Sequence, residues 1–244
     1  MTLDGTNTWL LAEPGASSCV VVDPGPDDAG HLRTIAEAAG SCGQRVGAIL
    51  LTHSHHDHAA GAPALARLVR APVLAYDAAH GSPLGADFEL DGLHLDVVPT
   101  PGHSADSVCF VITADRAVLT GDHVLGRGTS LVEYPDGRMG DYLQSLVRVR
   151  ALDALHLLPG HGPVIDDPRR VLDFYQAHRE GRLAQIHAAV AAGDATPGAL
   201  VRTIYPEVRS DLRPVAELNV RAGLELLVER GLVVPDSEGG YTAD

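Results

Sequence analysis

Lysine is absent from the 244-residue sequence, so all 18 basic residues are arginine. Acidic residues number 32, which gives a formal net charge of −14 at pH 7. Nucleic-acid-binding proteins usually carry a basic face, so this balance argues against a general nucleic-acid binder. The excess of acidic over basic residues is unevenly distributed. Residues 1–168 hold 9 Arg and 21 acidic residues, whereas residues 169–244 hold 9 Arg and 11 acidic residues. The second part is therefore nearly neutral.

Long apolar runs and cysteine pairs are also missing. No stretch of 18 consecutive apolar residues occurs, which excludes a transmembrane helix. The N-terminal MTLDGTNTWLLAEPG has no basic region before its short apolar patch, so we do not expect a signal peptide. Cys19, Cys42 and Cys109 are odd in number and lack CxxC spacing, which disfavours disulfides and a cysteine-based zinc site. These absences predict a cytoplasmic protein without a membrane partner.

Short apolar runs bounded by Gly, Pro and Asp alternate with helical patterns through the first two-thirds of the chain. Strands are predicted over Thr8–Ala12, Cys19–Val22, Ala48–Thr52, Val73–Tyr76, His94–Val98, Val108–Thr113, Ala117–Thr120 and Leu155–Leu158. Helices are predicted over His31–Ala39, Ala62–Arg70 and Tyr142–Leu152. Strands interspersed with helices indicate an α/β layered domain.

The pattern changes after Pro168, which stands at the first position of a helix that Asp167 can cap. A short helix is predicted over Pro197–Ile204 and a longer one over Pro214–Arg230, followed by a two-stranded ribbon in LVVPDSEGGYT. Three helices and a ribbon are the outline of a winged helix. We therefore predict one domain over residues 1–168 and a second over residues 169–244.

The segment THSHHDH, residues 52–58, directly follows the apolar run AILL. A buried strand that ends there presents four potential metal ligands on one exposed turn: His53, His55, Asp57 and His58. Alternation along the strand lets the first two face the same way, and the turn brings the last two to a neighbouring point. A solvated histidine-rich turn is the alternative, but four such ligands within six residues favour a metal site.

Three further candidates each follow an apolar strand and stand beside glycine: His103 in TPGHS, Asp122 in LTGDH and His161 in LPGHG. Glycine lets the backbone turn sharply and bring the side chain back over the strand ends. One such turn is weak evidence, because a PGH sequence occurs by chance. All three in this order after residues 52–58 indicate a metal centre.

These motifs resemble those of the metallo-β-lactamase superfamily, where an HxHxDH segment is followed by a His, an Asp and a final His. The resemblance implies an αββα sandwich over residues 2–168, followed here by the winged helix. It assigns His53, His55 and His103 to one metal, Asp57, His58 and His161 to a second, and Asp122 to a position between them. It also implies two zinc ions, a metal-bridging hydroxide as nucleophile, and catalytic roles for Asp57 and Asp122. Imidazole and carboxylate ligands suit zinc, and Mn²⁺ or Fe²⁺ are compatible alternatives.

A closer resemblance, over nearly the whole chain, is to the β-lactamase-like protein 2 group. It rests on LDGTNTWLL at 3–11, GDHVLGRGT at 121–129, DYLQSL at 141–146, YQAHREGRLAQI at 175–186 and the winged-helix pattern. That group includes a single-strand-specific endoribonuclease and thioesterases that release polyketide acids from carrier proteins. This chain departs from it by starting almost on the GTNT motif, which suggests a truncated or misassigned start. It also has Gly223 where a histidine is expected, which weakens the case for any role that the resemblance would carry over to that helix.

Four residues outside the ligand set have both a functional and a structural interpretation. Asn7, Tyr142 and His178 are candidates for substrate contact, but packing or surface roles are equally consistent with the pattern. Asp23 in VVDPG is similar to the buried aspartate that braces the histidine loop in this superfamily. A hydrogen bond to a metal ligand is a physical reason for that role, and a simple turn cap is the alternative.

Two metal ions, partly offset by Asp57, Asp122 and hydroxide, leave a locally cationic pocket that favours an anionic or polarised substrate. The preferred substrate is single-stranded RNA, and an acyl-carrier or glyoxalase II-like thioester is the alternative. Four arginines of one helix favour RNA, whereas the net charge disfavours it: Arg169, Arg170, Arg179 and Arg182. Asp122 disfavours a true β-lactamase, because those enzymes lack the bridging aspartate. A metal-free DNA-binding module is disfavoured, because the third winged-helix helix offers few arginines among acids, so no sequence-specific DNA partner is expected.

Overall fold

Two five-stranded sheets form the first of two compact units in the computed structural model, which describes residues 5–193, 195–237 and 239–244. The first unit comprises the described residues up to Thr100, Asp106–Ser130 and Leu152–Pro168. The second comprises Pro101–Ala105, Leu131–Ala151 and the residues from Arg169 onward. A domain boundary at residue 168 stays a prediction.

Sheet 1 has the strand order β1-β2-β3-β4-β5. Its strands are β1 Trp9–Leu11, β2 Ser18–Val22, β3 Arg45–Leu50, β4 Val73–Ala75 and β5 Ser82–Pro83. β1 pairs antiparallel with β2, and the remaining pairs are parallel. The connections carry helices α1 Ala29–Ser41, α2 His56–Ala59 and α3 Ala62–Val69. β2 is buried on both faces, and its last four residues, Cys19–Val22, form a continuous apolar run, as is typical of strands between layers.

Sheet 2 has the strand order β10-β9-β8-β7-β6. Its strands are β6 Asp87–Leu90, β7 Leu93–Pro99, β8 Val108–Ile112, β9 Ala117–Gly121 and β10 His156–Pro159. β6 through β9 pair antiparallel, and β10 adds in parallel to β9. The predicted strands overlap those observed. The pattern missed β6, because an acidic edge strand lacks the apolar and β-branched signal, and β5, which is only two residues long.

Alternation along the strands of sheet 1 divides the unit into two apolar cores. Val20, Val22 and Leu50 face sheet 2 and join a core that includes Phe110 and Leu119. The neighbouring positions face helices α1 and α3 and form a second core with Leu32, Ile35 and Leu65. The first unit therefore stacks a helical layer on sheet 1 and sheet 1 on sheet 2.

The described residues of the second unit form four α-helices, a short 3-10 helix at Ser210–Leu212 and a ribbon. The α-helices and the ribbon are α4 Met139–Ala151, α5 Pro168–Ala191, α6 Pro197–Ile204, α7 Arg213–Glu229, and the antiparallel strands β11 Val233–Pro235 and β12 Tyr241–Ala243. Thr196 caps α6, since its side-chain oxygen accepts from the Ala199 N–H, and Pro197 occupies the first turn. Over the part of the chain that is described, none of the helices has the length and apolar character needed to cross a membrane.

The inter-sheet core should respond strongly to a cavity. We expect Leu119→Ala to lower the free energy of unfolding by about 2–5 kcal/mol, because Leu119 is fully buried between the sheets. Leu155→Ala is the matched control: this leucine is 48% exposed, and we expect a change within about 0.5 kcal/mol. Urea unfolding of the metal-free proteins measures both. Equal midpoints for the two variants would contradict the assignment of this core.

Candidate metal centre

Strand ends bring the candidate ligands of the first unit into position. Asp23 follows β2, His53 lies three residues after β3, Asp122 follows β9 and His161 lies two residues after β10. β2 and β3 are parallel neighbours, as are β9 and β10, so each pair ends at one edge of its sheet. His58 lies on the short helix α2 that follows the histidine segment.

Two imidazoles and two carboxylates converge within the first unit. The Nε2 atoms of His58 and His161 lie 3.2 Å apart. Asp122 places Oδ1 3.3 Å from the His58 Nε2 and Oδ2 3.3 Å from the His161 Nε2. Asp57 Oδ2 lies 3.3 Å from the His161 Nε2. The ligand atoms of Asp57, His58 and His161 all lie within 4.8 Å of one another, which suits coordination of one metal ion.

The outer nitrogens of these two rings are held by acceptors. His58 Nδ1 donates to Asp23 Oδ2 at 2.9 Å, and His161 Nδ1 donates to the Gly5 carbonyl oxygen at 2.9 Å. A neutral ring with its proton on Nδ1 presents a lone pair at Nε2. Two such lone pairs 3.2 Å apart repel each other unless a cation or a proton lies between them. The donor set therefore fits a divalent metal ion.

Asp23 braces the histidine segment. Its carboxylate accepts from the Thr52 N–H at 2.8 Å and the Thr52 hydroxyl at 2.6 Å, besides His58. Its backbone lies in the left-handed region at φ 52°, which aspartate tolerates better than most residues. The interpretation of Asp23 as a brace agrees with these contacts. Sequence reasoning passed over Thr52, although the residue immediately before the first histidine was the available signal.

The three remaining candidate ligands are histidines, of which two belong to the first unit and one belongs to the second. In the first unit, His53 is buried and its Nε2 lies 3.1 Å from the His55 Nδ1. His103 belongs to the second unit, where it is buried and its Nδ1 donates to the Leu131 carbonyl oxygen at 2.6 Å. That bond leaves Nε2 as the ligand atom of His103. The assignment of His53, His55 and His103 to one metal stays a prediction.

Neighbouring charges and hydrogen bonds shift the pKa values of the side chains in the cluster. Burial lowers the pKa of His58, but the charge of Asp23 and the hydrogen bonds to Asp122 and Asp23 outweigh burial and raise the pKa to about 10. Burial also opposes the rise at His161, where hydrogen bonds to Asp122 and Asp57 raise the pKa to about 9. Burial raises the pKa of Asp122, yet hydrogen bonds from His161 and His58 hold it well below its usual range. Both acids of the cluster are therefore ionised at neutral pH, since the hydrogen bond from His161 lowers the pKa of Asp57 as well.

Loop residues support the cluster at close range. A Cβ on Gly160 would lie 2.6 Å from His58 Cε1 and 2.7 Å from Asp122 Oδ1, so only glycine fits there. Asn7 Nδ2 donates to the carbonyl oxygens of Pro159 and Gly162, at 2.9 and 2.8 Å. Asn7 therefore holds the loop that carries His161, which is the structural alternative to a substrate contact.

The other two candidates for substrate contact lie in the second unit. Tyr142 is fully buried, and the Arg179 guanidinium carbon lies 4.7 Å from its ring centroid. His178 is partly buried, with its ring 5.9 Å from that of Phe174. Burial, together with the nearby positive charges of Arg179 and Arg182, lowers the pKa of His178. These contacts give Tyr142 a packing role.

Two protein families match the chain. Residues 1–94 and 83–161 match the family described as "Metallo-beta-lactamase superfamily", and residues 196–240 match the "Beta-lactamase associated winged helix domain". This chain belongs to the metallo-β-lactamase superfamily. The predicted fold class, a metallo-β-lactamase α/β sandwich with a C-terminal winged helix, is confirmed. The family is one of metal-dependent proteins, and the His and Asp groups of this chain are possible ligands of a divalent metal ion.

Three named proteins are similar in sequence to most of this chain. "Lactamase-like protein aptB" of Emericella nidulans is 37% identical over 202 residues, covering 77% of this chain and 61% of that protein. "Atrochrysone carboxyl ACP thioesterase" of Aspergillus fumigatus is 32% identical over 233 residues, covering 87% and 72%. A "Beta-lactamase-like protein 2 homolog" of Caenorhabditis elegans is 29% identical over 250 residues, covering 95% and 81%. This chain spans 60–61% of the length of the first curated relatives it matches.

Solved structures share the fold over almost the whole chain. A metallo-beta-lactamase family protein of Thermus thermophilus aligns with a TM-score of 0.82 at 24% identity, covering 98% of this chain and 94% of that one. A beta-lactamase domain protein of Burkholderia ambifaria aligns with a TM-score of 0.83 at 21% identity, covering 98% and 87%. At these identities the likeness concerns the fold alone.

Metal binding should release protons. The raised pKa values keep His58 and His161 protonated at pH 7 in the metal-free protein, and a metal ion must displace those protons. We expect the affinity for Zn²⁺ to rise between pH 7 and about 9, on the order of tenfold per pH unit for each displaced proton. Calorimetry in buffers of different ionisation enthalpy counts the protons. An affinity independent of pH, with no proton release, would contradict this linkage.

The close approach at Gly160 gives a second test of the cluster. We expect Gly160→Ala to weaken metal binding by about 10–100-fold, because the new methyl group displaces His58 or Asp122. Gly181→Ala is the control: nothing lies within 4 Å of its added Cβ in the middle of α5. That change should leave metal binding unchanged and stabilise the helix by about 1 kcal/mol. Competition with a chromogenic chelator measures the affinities, and wild-type binding by Gly160→Ala would argue against the geometry.

Proposed function

We propose that the chain is a dinuclear-metal hydrolase that cleaves acyl thioesters. The convergence of Asp57, His58, Asp122 and His161 supports the hydrolase chemistry. The thioester substrate is favoured by the similarity, over 87% of this chain, to a protein named as an acyl-carrier thioesterase. Single-stranded RNA is the competing substrate.

The proposed ligand set is that of the sequence motifs. His53, His55 and His103 would hold one zinc ion, Asp57, His58 and His161 would hold the other, and Asp122 would complete the ligand set. When bound, the two ions supply an activated water and polarise the carbonyl oxygen of the substrate. The remaining work is done by the side chains of the chain.

Orientation and charge are the contributions of these side chains. Asp23 and the Gly5 carbonyl keep the Nδ1 protons of His58 and His161 in place, so that Nε2 of each ring faces the cluster. The low pKa of Asp57 keeps this partly exposed carboxylate ionised, and we assign it the role of orienting the attacking water. In the proposed hydrolysis, the oxygen of water bonds to the acyl carbon and the C–S bond breaks, which yields a carboxylate, a thiolate and two protons released to solvent. Because a thiol has a pKa of about 8.5, the thiolate leaves without a proton donor.

Two of the arginines that were expected to bind RNA make contacts inside the second unit. Arg179 is only 2% exposed, and it stacks on Tyr142 and donates to Asn219 Oδ1 at 3.3 Å. The Arg182 guanidinium carbon lies 4.5 Å from the Tyr205 ring centroid, and its Nη1 donates to the Ile204 carbonyl oxygen at 3.1 Å. Two of the four arginines that favoured RNA therefore stabilise the fold. This observation favours the thioester.

Surface arginines of the chain also meet acids. Examples are the pairs Arg116–Asp153, Arg150–Asp173, Arg209–Asp211, Arg221–Glu217 and Arg230–Glu180. A phosphate backbone would have to compete with these carboxylates for each guanidinium. A thioester carries no such requirement at its reacting group.

A substrate panel separates the candidates. The zinc-loaded protein is offered acyl-carrier and acyl-coenzyme A thioesters, lactoylglutathione, a single-stranded RNA and a chromogenic β-lactam. We expect thiol release from one or more thioesters, followed with a thiol reagent. Cleavage of the RNA alone would overturn the thioester in favour of the competing substrate, and cleavage of the β-lactam alone would reject both.

Asp122 supplies the matched variant for that panel. Asp122→Asn should lower kcat/KM at least about a hundredfold and reduce bound metal, because the neutral amide would replace an anionic ligand of the proposed site. Asp166→Asn is the control, since this exposed aspartate pairs with His156 and lies outside the proposed ligand set. Full activity and full metal content in Asp122→Asn would reject the dinuclear proposal.

A further inference from the structure

The candidate ligand His103 is held from within the second unit. Its Nδ1 donates to the Leu131 carbonyl oxygen at 2.6 Å, and its own carbonyl oxygen accepts from the Glu133 N–H at 3.1 Å. Residues 131–133 therefore hold both the side chain and the main chain of His103. Any contact that holds residues 131–133 in place therefore also orients the imidazole of His103.

One peptide group of that segment is bonded on both sides. The Leu131 carbonyl and the Val132 N–H belong to the same planar amide and point in opposite directions. The carbonyl accepts from His103, and the N–H donates to the side-chain oxygen of Asn219 at 3.0 Å. A hydrogen bond to the N–H fixes the plane of the amide and polarises its carbonyl as an acceptor.

Asn219 is in turn held by α5. Arg179 Nη1 donates to the same Oδ1 atom at 3.3 Å, while its guanidinium stacks on the buried ring of Tyr142. Tyr142 also touches the His103 loop, because a Cβ on Gly102 would overlap the Tyr142 backbone. Helix α7 thus bonds the amide whose carbonyl accepts from His103, and α4 contacts the turn that carries His103. Helix α5 holds the α4 and α7 side chains Tyr142 and Asn219 through Arg179.

We propose that Asn219, on the long helix of the winged-helix segment, is a positioning residue for the metal ligand His103. It acts through the Leu131–Val132 amide, which keeps the proton of His103 on Nδ1 and so leaves Nε2 for the metal. The winged helix thereby supports the metal centre from within its own unit. This inference rests on the proposed ligand role of His103, but not on the thioester substrate.

The test compares metal binding by Asn219→Leu and Asn219→Asp, without any substrate. The leucine removes the acceptor at similar size, so we expect one of the two zinc equivalents to bind about 10–100-fold more weakly and the other to be unchanged. The aspartate keeps an oxygen acceptor for both donors, so we expect wild-type affinities. Arg221→Gln on the exposed face of α7 is the control, because this side chain pairs with Glu217 instead.

A second readout follows the tautomer itself. Long-range ¹H–¹⁵N spectra of the metal-free protein should show His103 protonated on Nδ1 in the wild type and in Asn219→Asp, and a mixture of tautomers in Asn219→Leu. A general loss of stability would weaken both zinc equivalents together and leave the tautomer unchanged. If Asn219→Leu does not fold, as judged by near-ultraviolet circular dichroism, Asn219→Ser removes the amide with less bulk and serves the same comparison.

The outcomes separate this inference from the proposed function. Two wild-type affinities and a wild-type tautomer in the folded leucine or serine variant would overturn the role of Asn219 and leave the hydrolase proposal intact. Equal weakening by the aspartate and leucine variants would also overturn it. A wild-type protein that binds two zinc ions but cleaves no thioester would reject the substrate and leave the role of Asn219 standing.

Discussion

The hydrogen bonds to the outer nitrogens of the histidines are the constraint on which the metal centre depends. Asp23 accepts a hydrogen bond from His58 Nδ1, and the Gly5 carbonyl oxygen accepts one from His161 Nδ1. Each bond fixes one ring orientation, so that the Nε2 atoms of both rings face a common point. Without metal these nitrogens carry protons at neutral pH, and a divalent cation can replace those protons. The surrounding loops are shaped to keep these bonds, most tightly at Gly160, where no side chain fits.

The layered fold supplies the frame for this arrangement. Parallel strand pairs end together, so residues far apart in the chain meet once β2 lies beside β3 and β9 lies beside β10. The two apolar cores hold the strands in register, because a shift of one residue would turn buried side chains towards solvent. Only a few residues beyond the end of each strand are then needed to place a ligand. A single histidine after a glycine suffices at position 161.

The second unit also depends on contacts between buried polar side chains, although its sequence suggested a separate module. Its buried Arg179 has an interior role, stacked on Tyr142 and bonded to Asn219. Helical periodicity placed that arginine on a helix with three others, and their shared charge suggested a phosphate-binding surface. Periodicity states which residues share an element, but not which neighbours a long side chain meets after folding. The cation–π contact could only be seen in three dimensions.

The sequence by itself determined the layered α/β class, most strands and helices, and the seven candidate ligands. Apolar runs, glycine turns and the spacing of histidine and aspartate are local signals that survive without coordinates. The tertiary structure decided what surrounds those ligands: that Thr52 bonds to the brace Asp23, that Asn7 holds the His161 loop, and that the Leu131 carbonyl oxygen accepts a hydrogen bond from His103. These partners are backbone carbonyls or ordinary polar side chains with no signature of their own. Only the folding of distant segments against each other gives them a role.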